Sequence, residues 1–344
     1  MGGTVIYNCF SEQGEEALPD NMFINECQKQ GIEPVIFLDS CACLHAIKVV
    51  DYGRSATNVD LSKIIALKQY MENHPGAHVS PFFGLIELCS RDNALNHEKF
   101  RDFKYRLDFF RQIPLNEFRK FRYDFRRDFF IFTEMPQASP KILNGIQSIL
   151  KPSYCALLKI RSIAQKGVSK NNAEKNVEEF YEWMIHDLDL ARGLEYKLAL
   201  NIFGGNTSFW KMIGLDAKRS DIKKKVLGTC WDFFHSRYTT RRFEVSKILQ
   251  QNIHPYLLTS DGNLSNILKK LSLRIVKNGG DDFRSSSILN SDFSIPHLDD
   301  SFIDRQNRKI FDHFLDRATK ERCFDEAKVD RLIQDLELEN GILS

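Results

Sequence analysis

Residues Glu33–Asp39 read EPVIFLD, in which the four apolar residues Val35–Leu38 are followed at once by an acid. A short, uninterrupted apolar run of this kind is typical of a strand that is buried on both faces of a parallel sheet. A second run, Tyr256–Thr259, ends close to another acid, Asp261, and a helical pattern follows it. This repeated order of strand, acid and helix predicts an α/β domain with both acids at the carboxyl ends of its strands.

The composition describes a folded chain of one or two domains. It has 344 residues, of which 42% are hydrophobic and 27% charged, and glycine and proline together fill only 28 positions. These values exclude collagen-like and wholly disordered classes. Lys and Arg (48) nearly balance Asp and Glu (46), so a nucleic-acid surface has to come from local clustering of charge.

The cysteines and the apolar runs bear on the location of the protein. The eight cysteines include no CxxC pair, a pattern that favours reduced thiols. No apolar run approaches the length of about 18 residues that spans a bilayer. We therefore expect a cytoplasmic protein with no membrane partner.

Two further acids lie inside apolar stretches with a helical pattern. Glu87 lies in Phe82–Cys89 and Asp232 lies in Gly228–Phe234, where helices normally place core residues. Buried carboxylates must be paired, hydrogen-bonded, protonated or bound to a metal ion. Oxygen ligands without a His or Cys set favour Mg²⁺ or Mn²⁺, and such a site supports hydrolysis of a phosphodiester bond. The chain has no P-loop, dinucleotide-binding or HExxH motif.

In the order of these segments the chain resembles the PIN-like nucleases. The resemblance rests on Val35–Ser40 as the first strand and acid, and on Ser80–Leu88 as a helix with the second acid. Asp232 stands as the third acid, and Leu257–Leu264 contains a Thr-x-Asp signature with the last. The match covers about residues 33–97 and 220–277.

The resemblance implies a PIN-like three-layer α/β/α fold with a short, mostly parallel sheet, and the activity of a metal-dependent endoribonuclease. Its substrate would be single-stranded or structured RNA, less often DNA, with a toxin or defence role and a protein inhibitor or activator as partner. Mg²⁺ or Mn²⁺ would be held by the catalytic residues Asp39, Glu87, Asp232 and Asp261. The supporting residues would be Ser40, Thr259 and Ser260.

Two features depart from the family pattern. Cys41 stands where the family often has Asn or Ser, two places after the first acid, and Asp232 lies 29 residues before Asp261, further than the family leads us to expect. Asp187 or Asp189 is an alternative third acid, or an additional ligand.

The domain organisation follows from the same segments. We expect residues 30–97 and 220–277 to form the two parts of a PIN-like core. Residues 98–219 would be a large helical insertion, and residues 278–344 a linker and a helical C-terminal extension.

Basic and aromatic residues alternate between positions 98 and 130. Cations there can meet phosphates while rings stack on bases. The competing interpretation is that the phenylalanines pack against the body and leave the cations as a solvated face. The candidates for nucleic-acid contact are Lys99, Arg101, Lys104, Arg119, Lys120 and Arg122.

Ordinary structural roles remain open for each acid. Asp39 can cap the helix that follows it, Glu87 can pair with Arg91, and Asp232 can lie on an exposed helical turn near Arg237. The chain is then a catalytically incomplete PIN-like binding or scaffold protein. A single-stranded DNA or flap nuclease with the same site is a further alternative.

Overall fold

The structure is a computed structural model. It describes residues 7–11, 14–91, 94–126, 139–240, 246, 249–270, 273–276, 286–289, 295–319 and 325–343. The strands are β1 (Asn8–Ser11), β2 (Gly14–Glu15), β3 (Glu33–Leu38), β4 (His78–Ser80), β5 (Ser90–Arg91), β6 (Ala94–Leu95), β7 (Ile253–Thr259), β8 (Leu273–Val276) and β9 (Ser286–Leu289). The α-helices are α1 (Asn21–Lys29), α2 (Ser40–Tyr52), α3 (Leu61–Asn73), α4 (Phe82–Cys89), α5 (His97–Gln112), α6 (Leu115–Lys120), α7 (Pro140–Gln165), α8 (Ala173–His186), α9 (Gly193–Phe203), α10 (Arg219–Thr240), α11 (Gly262–Lys270), α12 (Asp300–Thr319) and α13 (Glu326–Glu339).

The chain divides into two compact units. Unit 1 comprises residues 1–143 and 235–269, and unit 2 comprises residues 144–234 and 270–344. The segment 98–219, predicted as one helical insertion, is divided between them: α5 and α6 belong to unit 1, whereas α8 and α9 belong to unit 2.

Unit 1 is built on a mixed, mostly parallel sheet. Its strand order is β2-β1-β7-β3-β4. Strands β7, β3 and β4 are parallel to one another, whereas β1 pairs antiparallel with both β7 and β2. In β3 the residues Val35–Leu38 are all buried, which is the environment that their uninterrupted apolar run predicts. Leu38 lies opposite Leu258 of β7. The carboxyl ends of these two strands are therefore neighbours.

Helices cover this sheet and form the core of unit 1 with it. Helix α2 packs against α4 and α5, and its buried face includes Ala46, Ile47 and Val50. The phenylalanines of the basic segment lie mainly inside: Phe109, Phe110 and Phe118 are buried, while Phe129 and Phe130 lie outside the described residues. The packing interpretation therefore holds for these three rings, whereas Phe121 and Phe125 are half-buried.

Unit 2 is helical around α9. Nearly every residue from Leu194 to Phe203 is buried. The C-terminal helix α13 is attached to α7 by polar contacts, including those from Tyr154 to Glu337 at 2.7 Å and from Arg161 to Asn340 at 3.0 Å. The C-terminal extension is thus an integral part of this unit.

Two local features of unit 2 do not follow from the apolar pattern alone. The helical pattern of residues 173–203 forms two helices, because the chain turns after α8 and places Asp189 at a φ of +53°. Strand β8 pairs antiparallel with β9 in a separate sheet of unit 2. Its four residues carry no signal for the choice of partner.

Within the described residues, no helix is both long and apolar enough to cross a membrane.

Candidate active site

Asp39 lies at the carboxyl end of β3 and also caps the next helix. Its Oδ1 accepts a hydrogen bond from the backbone N–H of Ala42 at 2.6 Å, which is the N-cap arrangement of α2. The side chain is 2% exposed. The capping role that the sequence left open is therefore real, and it fixes one carboxylate oxygen while leaving the other for a second partner.

Thr259, the last residue of β7, is that second partner. Its hydroxyl donates to Asp39 Oδ2 and accepts a hydrogen bond from the backbone N–H of Asp261 at 2.9 Å. Thr259 itself is fully buried. One hydroxyl group thus links the two acids that follow the neighbouring strands.

Asp261 repeats the arrangement of Asp39 one strand away. Its Oδ1 accepts from the backbone N–H of Leu264 at 3.1 Å, at the start of α11, and its side chain is half-buried. The other residues predicted to support the site, Ser40 and Ser260, are half-buried beside the two acids in the chain.

Glu87 reaches a partner that the sequence did not indicate. One of its carboxylate oxygens, Oε2, lies 2.8 Å from Nε2 of His235, a side chain that is 2% exposed. A carboxylate only accepts hydrogen bonds, so Nε2 is the ring nitrogen that donates. Arg91, the partner suggested by helical spacing, has no described side chain.

The environment of Asp39 disfavours its charged form. Burial raises the pKa of this carboxyl from its ordinary value of 3.8 to about 6, and the nearby charge of Glu87 adds to the increase. The hydrogen bonds from Thr259 and Ala42 and the charge of His235 act in the opposite direction. Asp39, Glu87 and His235 are therefore electrostatically coupled within unit 1.

Gly84 brings α4 into direct contact with the end of β3. A Cβ atom at this position would lie 2.6 Å from the carbonyl oxygen of Leu38 and 2.9 Å from the carbonyl carbon and oxygen of Asp39. Only glycine allows this approach. The helix that carries Glu87 is thereby held against the backbone of Asp39.

The remaining acidic candidates belong to unit 2. Asp232 lies on α10, three positions before His235, in the part of that helix assigned to unit 2. Asp187 is exposed at the end of α8, and Asp189 is half-buried in the turn that follows. Their roles as ligands stay predictions from the sequence.

The basic candidates differ in how far they are available to a ligand. Lys104 is 11% exposed and lies 2.6 Å from Asp108. Lys99 donates to the carbonyl oxygen of Leu88, and Arg119 donates to Gln69. Arg101, Lys120 and Arg122 are exposed.

The donor chemistry of the site fits a hard cation. Each oxygen of Asp39 accepts one hydrogen bond and keeps a further lone pair, and Glu87 and Asp261 supply more carboxylate oxygens, the ligands that Mg²⁺ and Mn²⁺ prefer. As the side chains are placed in the described ranges, no three His, Cys, Asp or Glu residues are grouped as they would be around a bound ion.

Thr259→Val should raise the pKa of Asp39 further above its ordinary value. Valine has a similar shape but removes the hydroxyl that stabilises the Asp39 carboxylate. A carbon-13 NMR titration of the Asp39 carboxyl measures the shift. Thr259→Ser, which keeps the hydroxyl, should titrate near the wild type, and a valine variant that does the same would refute the role given to this hydrogen bond.

The pair Glu87–His235 should couple more strongly than an exposed pair of the same length. His78 and Glu33 also lie 2.8 Å apart, but their side chains are 45% and 43% exposed, against 2% and 20% for His235 and Glu87. In double-mutant cycles on urea unfolding, with alanine and glutamine substitutions, we expect about 1–2 kcal/mol for the buried pair. The exposed pair should give about 0.5 kcal/mol or less. Equal coupling energies would contradict the geometry.

The adjacent ends of β3 and β7 define this site, together with the hydrogen bonds that Asp39 makes with Ala42 and Thr259 and that Glu87 makes with His235. No family model, curated protein or solved structure matches the chain. The resemblance to PIN-like nucleases therefore stays a prediction from the sequence.

Proposed function

We propose that this protein is a metal-dependent endoribonuclease, a hydrolase of RNA phosphodiester bonds, with Asp39, Glu87 and Asp261 in its active site. One observation carries the proposal: the acids that follow two neighbouring parallel strands are linked through Thr259. The carboxyl ends of parallel strands are where α/β proteins bind ligands.

The proposed cofactor is Mg²⁺ or Mn²⁺, held by these three carboxylates. A divalent cation at such a site acts as a Lewis acid on a phosphodiester and lowers the pKa of a bound water molecule. The raised pKa of Asp39 supports this assignment, because a buried carboxyl coupled to a second acid is stabilised by a nearby cation.

The chain's own residues orient these groups. Ala42 and Thr259 each fix one oxygen of Asp39, and His235 fixes one oxygen of Glu87. Groups held in place before the substrate binds do not have to be reorganised during the reaction. The burial of Asp39 and Thr259 also keeps bulk water from their hydrogen bond.

The finer fold assignment belongs to the same proposal. A mostly parallel sheet with helices packed on it is compatible with a PIN-like three-layer α/β/α domain. We place the protein in the cytoplasm, where thiols stay reduced. No disulfide joins the seven cysteines within the described residues, which is compatible with that location.

A second candidate is a catalytically incomplete PIN-like binding protein. The contact between Glu87 and His235 favours it, because a protonated imidazole can neutralise this carboxylate without a metal ion. The two hydrogen bonds on Asp39 also favour it, since each gives one carboxyl oxygen a partner without a metal ion.

Cleavage assays separate these two functions. Labelled RNA, single-stranded DNA and a DNA flap would be incubated with the wild type in Mn²⁺, in Mg²⁺ or in EDTA, beside Asp261→Asn. The matched control is Asp20→Asn, because Asp20 also caps a helix through a side-chain oxygen but is exposed at the start of α1.

We expect cleavage of RNA that needs the metal ion, that Asp261→Asn loses and that Asp20→Asn keeps. Cleavage of DNA alone would assign the same site to a DNA nuclease. No cleavage of any polymer would overturn the proposed activity and favour the binding protein.

A further inference from the structure

The C-terminal end of α2 presents an exposed aromatic ring and a guanidinium group. Tyr52, the last residue of the helix, is 64% exposed. The next residue, Gly53, has a φ of +53° and turns the chain, and the Arg54 guanidinium then lies 5.2 Å from the centre of the Phe121 ring. The end of α2 and the loop after α6 therefore meet at Phe121.

The loop after α6 is a fixed turn. Phe121 has a φ of +55° and ends α6, and the backbone N–H of Arg122 donates to the carbonyl oxygen of Glu117 at 3.0 Å. The rings of Phe118 and Tyr123 stack beneath it with centres 5.7 Å apart. Lys120 and Arg122, which flank Phe121, are thus exposed on an ordered support.

The cations of this surface differ from those of α5 in their surroundings. Among the residues that the structure describes, no carboxylate pairs with Arg54, Lys120 or Arg122. Arg106, which lies nearer the middle of α5, shows the contrast, because Asp51 and Asp102 neutralise it. Cations without a described acidic partner beside an exposed aromatic ring provide the charge and the stacking face with which proteins bind a polyanion that carries bases.

We propose that this surface, formed by Tyr52, Arg54, Lys120, Phe121 and Arg122 and here named the α2-end surface, binds single-stranded RNA. The cations contact phosphates, and an unpaired base stacks on the ring of Tyr52. The choice of RNA rests on the proposed function, since it is the substrate of that activity. A base inside a duplex has no free face for Tyr52, and this favours a single strand.

The length of α2 sets the distance between the two sites. The helix has 13 residues, which at about 1.5 Å per residue separates Asp39 from the α2-end surface by about 20 Å. A strand that contacts both sites must therefore span several nucleotides. The α2-end surface would bind RNA at a distance from the proposed scissile bond.

The test measures how a fluorescein-labelled oligouridine of about 12 nucleotides binds to the full chain in EDTA. Binding is monitored by the fluorescence anisotropy of the oligonucleotide at several salt concentrations. Tyr52→Ala should weaken binding about 10-fold and leave the salt dependence unchanged, because it removes stacking and no charge. Arg122→Gln should weaken binding and make the negative slope of log K against log salt shallower by about 0.7. This is the change expected for one lost phosphate contact on a single strand. An RNA duplex should bind with no effect of Tyr52→Ala.

The control variants are Met22→Ala, at a side chain that is 76% exposed on α1, and Lys170→Gln, at an exposed lysine of unit 2. Both should bind the oligouridine as the wild type does. Unchanged binding by Tyr52→Ala and Arg122→Gln, or no binding of RNA by the wild type, would overturn the inference. Binding that depends on Tyr52 in a protein that cleaves no RNA would uphold it and reject the proposed nuclease.

Discussion

Asp39→Asn is expected to abolish metal-dependent cleavage of RNA and at the same time to stabilise the fold. Asparagine has nearly the same shape and can still cap α2 through its side-chain oxygen. It lacks the negative charge that binds a cation, and losing several kcal/mol of transition-state stabilisation lowers the rate by about 10³-fold or more. A variant that cleaves at the wild-type rate would remove Asp39 from the active site.

The stability of this variant should depend less on pH than that of the wild type. Burial raises the pKa of Asp39 to about 6 in the folded protein, so between pH 4 and 6 the folded state holds more protons than the unfolded state. The wild type therefore loses stability over this window as pH rises, by up to about 3 kcal/mol from this group.

Urea unfolding in EDTA at pH 4 and pH 7 measures the difference between the two proteins. At pH 4 they should be nearly equal in free energy of unfolding. At pH 7 Asp39→Asn should be more stable by about 2 kcal/mol, after some loss of hydrogen-bond strength to Thr259 and Ala42. The environment described for Asp39 would be contradicted if the free energy of unfolding of Asp39→Asn, taken relative to the wild type at the same pH, were lower at pH 7 than at pH 4.

Gly84→Ala is expected to damage both the fold and the site. The new methyl group would lie 2.6 Å from the carbonyl oxygen of Leu38, and a backbone atom at the end of a central strand cannot move aside cheaply. We expect a loss of about 3 kcal/mol in the free energy of unfolding. Because the same contact positions Asp39, a shift of about 1 Å should lower the cleavage rate by about 10²-fold.

Gly145→Ala is the matched control for this substitution. Gly145 lies in helix α7, and a Cβ atom there would meet no atom within 4 Å. Alanine should stabilise that helix by about 0.5–1 kcal/mol, since glycine loses more backbone entropy on folding. Thermal or urea unfolding should therefore move in opposite directions for the two variants. A stabilising effect of Gly84→Ala would refute the close contact between α4 and β3.

Two strands of the parallel part of the sheet, β3 and β7, could be predicted because each is a local apolar run. The buried run Val35–Leu38 needs no knowledge of its partners to be identified as a strand, and the acid that ends it marks the boundary. Strand β4 (His78–Ser80) was missed, since Ser80 was assigned to the helix that in the structure begins at Phe82. Strand β1 was missed, because Asn8–Ser11 is short, mixes polar with apolar residues and is stabilised by pairing with β7. The partner of β8 likewise depends on long-range pairing that a four-residue run does not encode.

The site was predictable to the same extent. The hydrogen-bonded link from Asp39 to Thr259 follows from two strand ends that the sequence marks, once those strands are neighbours. The contact between Glu87 and His235 joins residues 148 positions apart, and a single histidine in a helical pattern gave no signal for it. Gly84 did give a signal in the sequence, because a glycine inside an otherwise apolar helix often marks a close backbone approach.

Calorimetric titration of the full chain with Mn²⁺ tests most directly whether the acids of unit 1 form one metal site. We predict a binding isotherm for the wild type that disappears in Asp39→Asn and in Asp261→Asn and persists in Asp20→Asn, whose carboxylate caps an exposed helix. An isotherm that survives in either of the first two variants, or no binding by the wild type, would contradict the proposed metal site.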